Sequence, residues 1–273
     1  RSIAVVALMF VAATGLAKEP KLSLTPNAEK SLNFEMDQIT ESTLVSILDT
    51  EGVVIYKEVL TSGEAYSKKF DLKNQITNAM KQHYTKTFEK YGCTSEGVDW
   101  GSHEQRALIR HQNIGKVIKS RPCSILDVGC GYGAFLDYLG ESGIAFTGID
   151  VVPKMIESAQ SRHPQAKFIC GDFLTYDFAG QTFDYIICNG VFTQKLDITD
   201  SAMEAFTRRV ISKMFELSNK GIAFNMMTSF VNYRADNLFY TDPAKTVSWV
   251  MENLTRNVEL NHAYPLYEYI VSA

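Results

Sequence analysis

No two cysteines of this 273-residue chain stand as C-x-x-C, and their number, five, is odd. Cys93, Cys123, Cys130, Cys170 and Cys188 therefore give neither a disulfide framework nor a zinc site. Three of them fall in or beside predicted core strands, as buried free thiols of a reducing compartment do. Runs of lysine or arginine are also missing, and the net charge is −4. A surface that neutralises phosphates needs the opposite balance, so nucleic acid is not expected as a partner. The apolar run from Ile3 to Leu16 falls short of the roughly twenty residues that a membrane span needs. What the chain does have is 45% hydrophobic against 21% charged residues, ample for a core. Its length allows one large domain or a domain with an appendage.

The most informative stretch is Ile125-Leu-Asp-Val-Gly-Cys-Gly-Tyr-Gly133, followed by Gly148-Ile-Asp150. An apolar strand (Ser124 to Val128) runs into a turn carrying Gly129, Gly131 and Gly133, and a helical pattern follows from Ala134 to Leu139. Glycines there let the backbone turn tightly and approach a ligand closely. About twenty residues on, a second strand ends in Asp150, whose carboxylate can accept from both hydroxyls of a ribose. Strand, glycine turn, helix, strand and terminal acid in this order make a nucleoside-binding α/β unit. Which nucleoside it binds is left open by this pattern alone.

D-V-G-C-G-Y-G resembles motif I of the class I S-adenosylmethionine-dependent methyltransferases, not the G-x-G-x-x-G of dehydrogenases. A pyrophosphate needs a bare helix N-terminus, whereas S-adenosylmethionine has no phosphate and presents an amino acid and a sulfonium. An acid at the strand end, Asp127, suits that cationic ligand. Gly171-Asp172-Phe173 resembles the acidic loop at the adenine, and Phe183-Asp-Tyr-Ile-Ile-Cys-Asn-Gly-Val-Phe192 resembles motif IV. The resemblance covers roughly Gln75 to Ala273. It implies a Rossmann-like α/β domain with a seven-stranded, mostly parallel sheet whose last strand is antiparallel, and S-adenosylmethionine as cofactor.

The first seventy or so residues read differently. Residues 1–17 have a basic start, an apolar stretch and the small-residue end Gly15-Leu-Ala17, the pattern of a secretory signal; a buried helix is the alternative. Strand-like pieces follow at Lys21–Leu24, Ser31–Met36, Thr43–Leu48 and Val53–Leu60, with a hairpin turn at Asp49-Thr-Glu-Gly52, and Ala65–Leu72 alternates weakly. Residues 18–74 resemble the opening of a small secreted β-sandwich of the kind common in Bacteroidetes. At Lys73–Gln75 the character turns helical, with Ile76, Met80, Tyr84, Thr87 and Tyr91 at helical spacing. S-adenosylmethionine is a cytosolic metabolite, so a secretion signal conflicts with the cytoplasmic location expected of residues 75–273. A fusion or misjoined segment near residue 74 resolves the conflict; a natural appended module that binds a partner is the alternative.

Beyond Gln75 the pattern predicts helix, loop, helix, then alternating strands and helices. Strands are expected at Ser124–Val128, Ala145–Ile149, Lys167–Cys170, Tyr185–Asn189, Gly221–Met226, Val258–His262 and Tyr267–Val271. Helices are expected to start near Ala134, Pro153 and Ser201, with one more from Pro243 to Leu254.

The resemblance assigns the cofactor to Asp127, Gly129, Cys130, Gly131, Asp150, Val151, Asp172, Phe173 and Asn189. Cys130 enters as a small side chain near the ligand, not as a nucleophile. Val151 packs either on adenine or in the core. Trp100, in the segment before the first strand, either shields the sulfonium or packs in the core; Arg110 either pairs with the cofactor carboxylate or lies on a solvated helix face. His103, His111 and His262 are candidate bases, with Tyr233 and Tyr267 as polar positioners. His262 and Tyr233, together with Arg234, face the acceptor side of the family's fold, and Arg234 suits a carboxylate or phosphate. Asn189-Gly-Val-Phe192 lacks the prolines of the enzymes that methylate planar amides and exocyclic amines. The expected acceptor is therefore a small, polar molecule, sugar-like or anionic, methylated on oxygen or nitrogen. A catalytically silent cofactor-binding module is the rival reading. The sequence is silent on oligomeric state and shows no metal-ligand set.

Overall fold

The structure is a computed structural model; it describes residues 9–12, 31–36, 43–48, 54–60, 66–71 and 75–273 except Glu141. The described residues form two compact units. One comprises those up to Asn78 together with Asp197–Ala205, and the other is Ala79–Leu196 with Phe206–Ala273.

In the first unit, β1 (Met9–Ala12), β2 (Ser31–Met36), β3 (Thr43–Leu48), β4 (Val54–Leu60) and β5 (Tyr66–Asp71) make two antiparallel sheets, ordered β1-β3-β4 and β2-β5. Four of these strands coincide with expected pieces to within a residue at each end. Met9–Ala12 is a correction to the helical alternative: Phe10 and Val11 favour extended backbone, and β1 pairs with β3, Met9 opposite Ile47. The rest of the signal-like segment and Lys21–Leu24 lie outside the described residues.

Helix α1 (Gln75–Tyr91) is followed by a loop and α2 (Glu104–Ile114). Then come β6 (Cys123–Val128), α3 (Ala134–Leu139), β7 (Ile144–Asp150), α4 (Pro153–Arg162), β8 (Lys167–Cys170), β9 (Phe183–Cys188), α5 (Asp200–Leu217) and β10 (Ser218–Thr228). The chain closes with β11 (Tyr240–Thr241), α6 (Pro243–Asn253), β12 (Glu259–Asn261) and β13 (Glu268–Ser272). The expected α/β fold is present: the large sheet is ordered β12-β13-β10-β9-β6-β7-β8, and β13 alone runs against its neighbours. The unexpected strand is β11, a two-residue pairing with the end of β10.

Burial on both faces explains why the central strands are continuous apolar runs. Ile125, Leu126, Ile186, Ile187, Cys188, Ile222, Ala223 and Phe224 are fully enclosed. Register between β6 and β9 is pinned at their starts by a reciprocal pair: Ser124 N–H donates to the Asp184 carboxylate, and Asp184 N–H to Ser124 Oγ. From β6 the chain moves outward to β7 and β8, then returns to β9 on the other side. That reversal opens a crevice beyond the carboxyl ends of β6 and β9, where ligands of open α/β sheets bind. No helix among the described residues is long and apolar enough to cross a membrane.

Candidate active site

At the carboxyl end of β6 the chain turns through Gly129, Gly131 and Gly133 at φ of 75°, 53° and 86°, a region that L side chains rarely adopt. Space forbids a side chain at Gly129 as well, since its Cβ would lie 2.2 Å from Val191 Cγ2. The turn is held by its neighbour strand. Gly129 N–H and Cys130 N–H donate to Ile149 O, and Gly131 N–H donates to Asp150 Oδ2 at 2.9 Å. Asp150 Oδ1 takes Val152 N–H, also at 2.9 Å. Each carboxylate oxygen keeps a lone pair for a ribose hydroxyl, so Asp150 is fixed by the turn it faces. Burial raises its pKa, and these N–H donors oppose the rise.

Asp127, buried in β6, is pushed up to about 8 by burial and by the nearby Asp150 charge. Cys130 directs its thiol beneath β7: a Cβ on Gly148 would lie 2.7 Å from its sulfur. Burial drives that thiol well above its usual pKa, so it stays protonated and serves packing. Val151 packs with Phe88, Tyr132, Val152 and Met155.

Tyr84 of α1 joins the same cluster, with its hydroxyl pKa raised by burial and then by the charges of Asp99 and Asp150. The sequence marked it only as a helical position. Asp172 spends Oδ1 on the N–H of Leu174 in its own turn. Phe173 is a core residue: its ring meets Phe178 edge-on, and Lys213 Nζ lies 5.2 Å over it.

At the end of β9, Asn189 is buried, with Nδ2 3.4 Å from His111 Nδ1. Its Oδ1 has no hydrogen-bond partner among the described residues. His111 sits against Trp100, Phe135 and Tyr138. Burial, reinforced by Arg110, lowers its pKa to about 4, so the ring is neutral at ordinary pH and a weak base.

Arg110 donates Nε and Nη2 to the buried Glu268 carboxylate, while its guanidinium carbon stands 4.8 Å over the Trp100 ring. Nη1 is buried without a hydrogen-bond partner among the described residues. Glu268 also accepts from Asn225 Nδ2 at 2.8 Å, and Asn225 Oδ1 accepts Gly190 N–H at 2.6 Å. Neither Asn225 nor Glu268 was among the expected site residues.

The remaining acceptor-side residues are spread out. His262 follows β12, three strands from β9 and so about 14 Å across the sheet at the usual strand spacing. It is exposed, its ring edge-on to Tyr269. Tyr233 is 76% exposed on the loop after β10, near the exposed Phe230. Arg234 reaches Ser229 O at 3.4 Å and stands over Tyr240. The same loop is tied to the segment between α1 and α2 that carries Trp100, here called the lid. Asn237 Nδ2 donates to Gln194 Oε1, Gln194 Nε2 to Asp99 Oδ2, and His83 Nε2 lies 2.9 Å from that oxygen. No cluster of potential metal ligands is found among the described residues.

A family model described as a methyltransferase domain matches residues 125–213, the turn of β6 through α5. A Mycobacterium tuberculosis protein named as a methyltransferase is 34% identical over 157 residues, which is 55% of this chain and 92% of the relative. The chain belongs to the methyltransferase family. An 18S rRNA (guanine-N(7))-methyltransferase of Bos taurus is 40% identical over 72 residues, only 26% of either chain. In fold, this methyltransferase resembles the magnesium protoporphyrin IX methyltransferase of Synechocystis, solved with S-adenosylhomocysteine. The TM-score is 0.54 at 14% identity, over 72% of this chain and 98% of the other. The enzyme is S-adenosylmethionine-dependent, and its site fits that cofactor: a glycine cradle, a fixed acid at the end of β7, and two buried polar atoms, Arg110 Nη1 and Asn189 Oδ1, without partners among the described residues.

Proposed function

We propose that the enzyme methylates an oxygen or nitrogen of a small, polar acceptor, sugar-like or anionic, and not nucleic acid. The observation that carries this reading is the loop after β10, which exposes Tyr233 and Arg234 beyond the carboxyl ends of the strands. A phenol and a guanidinium suit hydroxyls and one negative group. The proline-free Asn189-Gly190 step and the net charge of −4 also favour a small molecule over a polyanion.

S-adenosylmethionine, when bound, supplies a methyl group already activated by the sulfonium. Gly129 and Gly131 give it backbone room, Asp150 takes the ribose hydroxyls, and Tyr84 lies beside that acid. Asp127 would meet its cationic end. Arg110 Nη1 is free for the carboxylate, and Asn189 Oδ1 for the amino group. Asp172 would meet the adenine edge, with Phe173 supporting its turn from the core. His111 holds Asn189 as a neutral ring, and Trp100 excludes water. Alignment and desolvation then account for much of the rate. His262 serves at the outer rim. The free cysteines fit a reducing, cytoplasmic location.

Labelled-methyl transfer into a fractionated metabolite pool tests the reading. Label in a small polar product supports it, and efficient, salt-sensitive labelling of RNA contradicts it.

A further inference from the structure

Five residues from five separate segments close a ring beyond the end of β9. Gly190 N–H reaches Asn225 on β10, Asn225 reaches Glu268 on β13, and Arg110 of α2 forks onto Glu268 through Nε at 2.9 and 3.0 Å and through Nη2. Arg110 lies over Trp100 of the lid. The Trp100 indole returns to Gly190, its Nε1 2.8 Å from the place a Cβ would take there.

Two features show that the ring does more than fill space. Asn225 and Glu268 are 1% and 2% exposed, so their hydrogen bonds run in a low-dielectric interior and are expensive to leave unmade. A buried ion pair adds little net stability over an apolar pair of the same volume, so we read this one as fixing one geometry among several. Here the fixed geometry is that of the lid against the turn after Asn189. Glu268 engages only two nitrogens of Arg110, and Nη1, like Asn189 Oδ1, is buried without a hydrogen-bond partner among the described residues.

We infer that Asn225 and Glu268 are positioning residues for methyl transfer: through Gly190 on one side and Arg110 on the other, they make the Trp100 lid and the β9 turn move as one body when the cofactor binds. Neither needs to touch the cofactor. Asn225 orients the backbone next to Asn189, and Glu268 holds the guanidinium so that Nη1 is presented and the indole is braced. The inference rests on the cofactor site alone and is independent of the acceptor class.

The test uses Trp100 as its own reporter. The chain has two tryptophans, Trp100 and Trp249, so Trp249→Phe leaves one. In that background, S-adenosylhomocysteine should shield Trp100 from acrylamide quenching. Glu268→Gln, which keeps the size and loses the charge, should abolish the shielding. It should also weaken S-adenosylhomocysteine roughly tenfold, as loss of a charge-assisted hydrogen bond would. Asn225→Ala attacks the ring from the other side and should do the same, with the double variant no worse than either single. Arg110→Lys keeps the charge without the fork and should fall between. Circular dichroism and melting temperature identify a variant that merely fails to fold, and the remaining variants then decide. A folded Glu268→Gln or Asn225→Ala protein that retains both shielding and affinity within about twofold overturns the inference, as does additive loss in the double variant.

Discussion

The Trp100 indole occupies the space that a side chain on Gly190 would need. Gly190 also has φ of 99°, so steric room and backbone conformation both demand glycine there. Gly190→Ala should destabilise the fold by about 1–3 kcal/mol and shift Trp100 emission as the indole is displaced. Denaturant unfolding, followed by Trp100 fluorescence in the Trp249→Phe background, measures both. An unchanged midpoint and spectrum would mean that the lid does not rest on this glycine.

Asp150 carries the ribose assignment. Asp150→Ala should weaken S-adenosylhomocysteine by about 1–3 kcal/mol, through the lost charge-assisted hydrogen bonds and a loosened Gly131. Asp150→Asn should retain part of the affinity, because its one carbonyl oxygen still accepts. Titration calorimetry on the two variants checks the order, and unchanged affinity in both removes Asp150 from the site.

Asp127 should make cofactor binding dependent on pH. Its carboxyl is pushed up to about 8 in the ligand-free fold, from near 3.9 in an unfolded chain. The folded state therefore holds the extra proton between those values, and stability falls as pH rises from about 4 to about 8, then levels. A cationic cofactor favours the ionised carboxylate, so binding near pH 7 should release close to one proton and tighten toward about pH 8. Calorimetry of S-adenosylmethionine in buffers of different ionisation enthalpy counts the proton. Asp127→Asn should remove both the release and the slope in stability.

Arg234 tests the acceptor side. Arg234→Ala should raise the acceptor KM or lower turnover while leaving S-adenosylhomocysteine affinity nearly intact. Steady-state kinetics with a labelled acceptor, beside a calorimetric titration, separates the two. Abolished cofactor binding would move Arg234 into the cofactor site or the core.

The strands of the large sheet were legible because β6, β9 and β10 are unbroken apolar runs, and the glycine turn with Asp150 lies within a single span of about thirty residues. Asn225 and Glu268 were not legible. They meet 43 residues apart in sequence, and Glu268 meets Arg110 at a separation of 158, contacts set by the antiparallel register of β10 and β13. Phe173 looked like a site lining from its place after Asp172. Its ring instead fills the space under Lys213 and Phe178, which sequence spacing does not show. Tyr84 carried no signal beyond its helical spacing, because its neighbour Asp150 comes from another part of the chain.

The central claim is that the crevice beyond β6 and β9 is an S-adenosylmethionine site. Titration calorimetry of the full chain with S-adenosylhomocysteine and, separately, with NAD tests it most directly. The account predicts that S-adenosylhomocysteine binds and NAD does not, and that Asp150→Ala weakens the former. Binding of NAD with no response to S-adenosylhomocysteine or S-adenosylmethionine would contradict it.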